Sequence, residues 1–248
     1  MTRDEVFRDP QKTIIDFAFD DAVADVFPDM IRRSVPGYEV VVPMTGLLAA
    51  RAMADCEHRL IYDLGSSLGA TSLATLRALD TLFAEADATA AQTRIIGVDN
   101  SPAMVERANK LVDDDRLTFV EKNILELQLA PCGAVLMNYV LQFLPPAERL
   151  GLLTGIRKKM DDRGVLIVSE KIRFEDPVEQ AQCEAAHLDF KRANAYSEIE
   201  ISQKRTALEN VMIIDTPEIH NARFKAAGFT TVQRWFQCMN WASFLVRP

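Results

Sequence analysis

A chain of 248 residues, 48% of them hydrophobic, can bury one large core, and that length suits a single α/β domain with additions. The formal charge of −8 repels polyanions, and no Lys/Arg stripe interleaved with aromatics offsets it, so direct binding of tRNA or DNA is disfavoured. The longest membrane-like run, Val40 to Ala50, is broken by Pro43, Thr45 and Gly46, and the start of the chain lacks the pattern of a secretory signal, so a cytoplasmic protein that does not span a membrane is expected.

In chain order, Phe17 to Arg33 reads as a helix, Ser34 to Tyr38 breaks it, and a second helix runs from about Pro43 to Met53. Residues 1–57 are expected to form a helical lid over the mouth of a sheet. Arg59 to Leu64 is the first strand, followed by a glycine-containing turn and a helix from Ala70 to about Ala91. Arg94 to Asp99 is the second strand, after which Asn100-Ser101-Pro102 caps a helix from Ala103 to Leu111. Further strands follow at Leu117–Glu121, Gly133–Met137 and Gly164–Ser169. Between the last two, a helix starts at Pro145-Pro146 and ends near Met160, before Asp161 to Gly164 turns the chain back.

Strands alternating with helices imply βαβ units and a Rossmann-like, mostly parallel sheet. Residues 176–227 are helical in period and too long for one crossover, so they read as a helical insert. Thr230–Phe236 and Trp241–Val246 read as a C-terminal antiparallel hairpin. The whole of 1–248 is read as one domain. Cys56, Cys132, Cys183 and Cys238 stand singly and are expected to be buried thiols. Asp113-Asp114-Asp115 reads as a solvated turn, and no metal is expected.

The chemistry is expected where the first strands end, because a doubly wound fold binds its nucleotide there. Gly65 and Gly69 in the turn Asp63-Leu-Gly-Ser-Ser-Leu-Gly69 allow close backbone approach, and Ser67 stands where many nucleotide turns have a middle glycine. Asp99 fits both a carboxylate for ribose hydroxyls and a plain helix cap. Together the acid, glycine turn, helix, strand and second acid favour a nucleoside cofactor. A pyrophosphate needs a G-x-G-x-x-G turn, and this turn departs from it. Asp63 suits an ammonium better than a phosphate, so S-adenosylmethionine is the expected cofactor. Asn123 fits either a bond to the adenine amine, with Ile124 against the ring, or an Asn turn; Asn138-Tyr139 ends the fourth strand beside the expected reactive methyl. His187, Lys191, Arg192, Tyr196, Lys204 and Arg205 concentrate basic groups in the insert, as either a solvated face or the cradle of an anionic substrate.

VFPDMIRRSVPGY (26–38), YDLGSSLG (62–69), VDNSPAM (98–104), LQFL (141–144), HLDFKRAN (187–194) and YSEIEISQKR (196–205) resemble the bacterial carboxy-S-adenosylmethionine synthase family, and the resemblance spans about Asp16 to Phe244. It implies a methyltransferase fold that does not transfer a methyl group. Prephenate loses carbon dioxide and its ring hydroxyl to give phenylpyruvate, and the carbon dioxide is trapped on the deprotonated sulfonium methyl. The product, carboxy-S-adenosylmethionine, goes to a separate tRNA carboxymethyltransferase that modifies a wobble uridine. The resemblance further implies a homodimer, with the insert as its interface. Cofactor contacts carry over onto Tyr38, Gly65, Ser66, Ser67, Asp99, Asn100, Asn123, Ile124 and Asn138, and the catalytic carboxylate-binding arginine onto Arg205, whose permanently charged fork suits that task. Ser66 stands where the family usually has Cys, and Asn123 where many members have Asp. An ordinary methyltransferase acting on a small molecule or tRNA shares every cofactor motif; Arg205 separates the two.

Overall fold

The computed structural model describes residues 2–11, 13–83 and 88–248. Its centre is a seven-stranded sheet built from β1 (Leu60–Leu64), β2 (Arg94–Asp99), β3 (Leu117–Glu121), β4 (Cys132–Asn138), β5 (Met160–Lys171), β6 (Thr231–Cys238) and β7 (Trp241–Arg247). The order is β3-β2-β1-β4-β5-β7-β6; the first five strands are parallel, and β7 runs antiparallel to both β5 and β6. β4 is apolar and buried from Cys132 to Met137, as expected of a strand with both faces covered.

Alternation along the strands feeds two cores. Ile61, Ile95, Ala134 and Leu136 pack with α2 (Tyr38–Ala52), α3 (Ala70–Leu82) and α5 (Pro102–Leu111). Tyr62, Leu64, Val135 and Met137 pack with Leu153 and Ile156 of α6 (Pro146–Lys159) and Phe224 of α9 (Pro217–Ala226). Gly97 of β2 is required by close packing, since a Cβ there would sit 2.3 Å from the Phe119 ring of β3.

The helix starts follow local chemistry. Ser101 before Pro102, Asp176 before Pro177 and Thr216 before Pro217 each cap a helix with a side-chain oxygen, with proline where no amide hydrogen is needed. Ser197 and Glu200 form a capping box on α8 (Glu198–Leu208).

The helical insert comprises α7 (Pro177–Ala193), α8 and α9, and two buried arginines tie it down. Arg149 of α6 bonds Asp215 at 2.6 Å and the carbonyls of Leu144 and Ile213 at 2.9 Å. Arg33 of α1 (Asp21–Ser34) bonds the carbonyls of Asn194 at 2.7 Å and Ala195 at 2.8 Å, and lies 4.0 Å from the centre of the Tyr196 ring.

Several boundaries differ from those read in the sequence. The first helix begins at Asp21 because Asp20 caps it; Phe17 and Phe19 precede it outside any helix or strand, with Phe19 edge-on to Phe27 and Phe143. α2 begins at Tyr38, five residues ahead of Pro43, because Gly37 at φ 80° turns the chain directly into it. The long helix from Ala70 stops at Leu82 and α4 (Ala88–Gln92) follows; the remainder of that expected helix, 84–87, lies outside the described residues. Asp161 to Gly164 is an irregularity inside β5, lying between the pairs Cys132–Met160 and Ala134–Val165, and not a turn. Cys56 and Cys132 are buried, whereas Cys183 and Cys238 are only half-buried. Among the described residues no helix is long and apolar enough to cross a membrane.

His220 of α9 is buried between Phe224 and Phe244, and neither ring nitrogen bonds a described residue. Burial, reinforced by the charge of Arg223, pulls its pKa down to about 4. The folded state thus resists a proton that the unfolded chain accepts near 6.5, so stability present above that pH is lost as pH falls toward 4. Urea unfolding at pH 7 and pH 5 should show a smaller acid-side loss for His220→Leu than for the parent. An unchanged pH dependence would contradict this assignment.

Candidate active site

The sheet reverses its winding between β1 and β4, since β1 pairs with β2 on one side and β4 on the other. The loops leaving these strands diverge and open a crevice at their carboxyl ends. It holds a cavity of about 1010 Å³, bordered by the turns after β1, β2 and β4, the end of β5, and side chains from α1, α2, α7 and α8. That volume is at the top of the range for small-molecule sites, roughly 300–1,000 Å³.

The turn after β1 is held by the neighbouring strand. Gly65 and Ser66 donate to the Val98 carbonyl at 2.7 and 3.0 Å. Gly65 at φ 73° needs its glycine twice over, because a Cβ would also meet Val140 at 2.4 Å. Ser67 at φ 51° occupies the left-handed region without being glycine, a strained conformation that its amide helps hold by donating to Asp99 Oδ2 at 2.8 Å. Asp99 Oδ1 accepts from the Ser101 amide at 2.9 Å. One carboxylate therefore ties the β1 turn to the β2 turn while retaining lone pairs for a ligand. Burial raises its pKa, and the amide donors oppose that rise.

Asp63 does not border the cavity. It is buried behind the turn, accepting from Ser72 Oγ of α3 at 2.6 Å, and burial lifts its pKa to about 6. The expectation that it meets a cofactor ammonium is thus not met by its position. The reason is local: Ser72 lies in the first turn of α3 and takes the carboxylate inward.

Tyr38, Gly65, Ser66, Ser67, Asp99 and Asn100 all border the cavity, as do Asn123, Ile124 and Asn138. Asn123 forms a turn, its Oδ1 accepting from the Leu125 amide at 3.0 Å, while the residue also borders the cavity, so the turn and the ligand reading share one position. Asn138 Nδ2 donates to Thr71 Oγ1 at 3.0 Å, while its buried Oδ1 and the buried Ser66 Oγ have no partner among the described residues. Unsatisfied polar atoms at a cavity wall suit a polar ligand.

The turn after β4 depends on Glu170. This buried side chain accepts from the amides of Val140 at 3.0 Å and Leu141 at 2.8 Å through Oε1, and from Gln142 at 2.9 Å through Oε2. These donors open the short 3-10 helix Leu141–Phe143. Burial pushes the Glu170 pKa up to about 8 against the pull of the three amides. With only donors facing its oxygens, the ionised form fits the geometry better. The clasp holds Tyr139 at φ 66°, a strained position for a bulky residue. Its ring stands edge-on to Trp241 at 5.3 Å and beside Tyr38 at 6.2 Å.

The cavity also carries cations. Lys171 of β5, Lys191 of α7 and Lys204 of α8 border it, together with His187. His187 Nε2 lies 2.8 Å from the Ser34 carbonyl, so that nitrogen carries the hydrogen. Burial, then the charges of Lys191 and Lys171, drive the His187 pKa down to about 3, which keeps the ring neutral. Of the other basic residues read in the insert, Arg192 is exposed and pairs with Asp189 and Glu198, and Tyr196 is buried against Asp4 and Arg33. Arg205 is exposed and does not border the cavity within one chain, although its charge reaches Lys171 and Lys191. Sequence reasoning missed Lys171, Trp241 and Glu170; a strand ending in Ser-Glu-Lys was the available signal for two of them. Among the described residues no group of three His, Cys, Asp or Glu side chains could hold a metal ion.

A methyltransferase-domain family model matches residues 61–164. A carboxy-S-adenosyl-L-methionine synthase of Pseudomonas fluorescens (strain SBW25) is 47% identical over 253 aligned positions, spanning 99% of this chain and 98% of the relative. The chain belongs to the carboxy-S-adenosyl-L-methionine synthase family. The same family's member from Trichlorobacter lovleyi is 45% identical, over 97% of this chain and 96% of its own length. Among solved structures, human N-acetylserotonin methyltransferase in complex with SAM matches with a TM-score of 0.60 at 16% identity, covering 92% of this chain and 55% of that one. A DhpI-SAM-HEP complex matches with a TM-score of 0.57 at 16% identity, covering 92% and 94%. At such identities these structures speak to the shared fold.

Glu170→Gln keeps the size of the side chain but turns an N–H₂ group toward at least one backbone donor. A loss of about 2 kcal/mol follows from one charge-assisted hydrogen bond, or a Tm lower by roughly 4–8 °C. Hydrogen exchange at Val140 to Gln142 should accelerate selectively, and unchanged protection there would show that the carboxylate does not hold the turn.

Proposed function

We propose that the protein converts S-adenosylmethionine and prephenate to carboxy-S-adenosylmethionine and phenylpyruvate. The observation that carries this reading is one cavity that joins a nucleoside-suited carboxylate, Asp99, to a floor of lysines. A methyl acceptor gives no reason for such a floor, whereas carboxyl transfer involves anions on both sides of the reaction. The near-full-length relatives named as synthases support the same reading.

In this assignment Asp99 takes the ribose hydroxyls and Asn100 flanks it, Ile124 packs on the adenine, and Asn123 meets its amine. Gly65, Ser66 and Ser67 admit the amino-acid part to their backbone, while Tyr38 and Asn138 border the sulfonium. The prephenate dianion releases carbon dioxide and hydroxide to leave phenylpyruvate. The hydroxide takes one proton from the sulfonium methyl to form water, and that carbon bonds to the carbon dioxide. Atoms and charges balance without a protein base or a metal.

Arg205 is assigned to the new carboxylate. Its exposure on α8 fits a homodimer in which the insert is the interface, an arrangement that also covers the exposed Val178, Ile199 and Ile213. We read residues 1–57 as the lid of a single domain spanning 1–248. In the cytoplasm the product feeds a separate tRNA carboxymethyltransferase, with no direct nucleic-acid contact by this chain.

Incubation with both substrates, followed by chromatography, should yield phenylpyruvate and carboxy-S-adenosylmethionine in equal amounts. Arg205→Ala should lower kcat/KM by about 100-fold, the loss of a bidentate charged clamp, and Arg205→Lys should recover only part. Full activity in Arg205→Ala would remove that residue from the site, and methyl transfer without carboxylation would overturn the reaction.

A further inference from the structure

The carboxyl edge of the sheet sets a scale. Asp99 ends β2 and Lys171 ends β5, three strand positions away in the order β2-β1-β4-β5. At the usual strand spacing that is about 14 Å. The Lys171 end of the cavity, away from Asp99, has Tyr139, Trp241 and His187 as its aromatic wall and Lys171 and Lys191 as its charged floor. Its rings form a connected wall, with His187 edge-on to Trp241 at 5.6 Å and Lys171 Nζ 6.0 Å from the Trp241 ring.

The two lysines differ from their neighbour. Lys204 already has Asp4 at 3.7 Å and Ser34 Oγ at 3.1 Å. Neither Lys171 Nζ nor Lys191 Nζ has a hydrogen bond or ion pair with a described residue. The carboxylate whose charge bears on Lys171 is Glu184 of α7, which is exposed and engaged by Gln180. Burial, followed by the charges of Lys204, Lys171 and Arg205, holds the Lys191 pKa down at about 7. Two half-buried ammonium groups thus lie within reach of each other's charge with no direct ion-pair partner among the described residues, an arrangement that is costly until a ligand supplies one.

We propose that Lys171 and Lys191 jointly bind the two carboxylates of a dianionic substrate, and that the wall of Tyr139, Trp241 and His187 takes its ring. The pair then selects the carboxyl donor, and neutral His187 adds contact without adding charge. This assignment rests on the reaction proposed above and names the residues that choose its second substrate. Once carbon dioxide has left, phenylpyruvate keeps one carboxylate, so the same floor holds it less strongly and favours its release.

The test is calorimetric titration of the S-adenosylhomocysteine-loaded protein with prephenate and, separately, with phenylpyruvate. The parent should bind the dianion at least about tenfold more tightly than the monoanion. Lys171→Gln and Lys191→Gln should each weaken prephenate by about tenfold, the loss of one charge-assisted contact. Affinity for S-adenosylhomocysteine should stay within about twofold in both, and Lys191→Arg should retain most of the prephenate affinity. Variants that bind S-adenosylhomocysteine normally and keep their prephenate affinity would overturn the proposal, as would a parent that binds the two acids equally. If the receptor behaves as expected yet no carboxylated product forms, the lysine pair stands and the reaction reading falls.

Discussion

Parallel pairing of β1 with both β2 and β4 is the constraint on which the site depends. Parallel strands all end at the same edge, and their connections must leave in opposite directions once the strand order reverses. The crevice is therefore a product of chain topology and not of any one residue. Residues remote in sequence, Asp99, Asn138 and Lys171, come to share one rim because each ends a strand of the same sheet.

Two carboxylates then convert an open edge into a shaped one. Asp99 joins the turns after β1 and β2, and Glu170 collects the three amides of the turn after β4. Loop amides that would otherwise face water are fixed in direction, and strained residues are retained at Ser67 and Tyr139. Such strain persists only where surrounding structure over-determines it, and here it lies on the cavity wall. Arg33 and Arg149 extend the same logic outward by anchoring the helical insert to carbonyls and carboxylates, which brings Lys191 and Lys204 over the crevice.

How much of this could be read in the sequence depends on how local each signal is. The strands Arg94–Asp99 and Leu117–Glu121 coincide with their reading residue for residue, because apolar runs bounded by turn residues are short-range signals. The glycine turn and Asp99 were legible for the same reason. The start of α2 was not, since proline inside a helix and proline at its start look alike without the cap. Lys171 and Trp241 lie seventy residues apart in the chain and meet only because β7 inserts beside β5. Asp63 shows the converse. Its motif position suggested a ligand contact, but Ser72 in the first turn of α3 claims the carboxylate. The motif around Arg205 supported the family resemblance, yet its exposure on α8 depends on packing that no motif encodes.

The central claim is that one cavity holds a sulfonium nucleoside at Asp99 and an anionic partner at the lysine floor. Mass spectrometry of the small molecule released when the purified protein is denatured tests this most directly. The account predicts a species heavier than S-adenosylmethionine by one carbon dioxide. Unmodified S-adenosylmethionine or its demethylated form, with no carbon dioxide adduct even after prephenate is supplied, would contradict it.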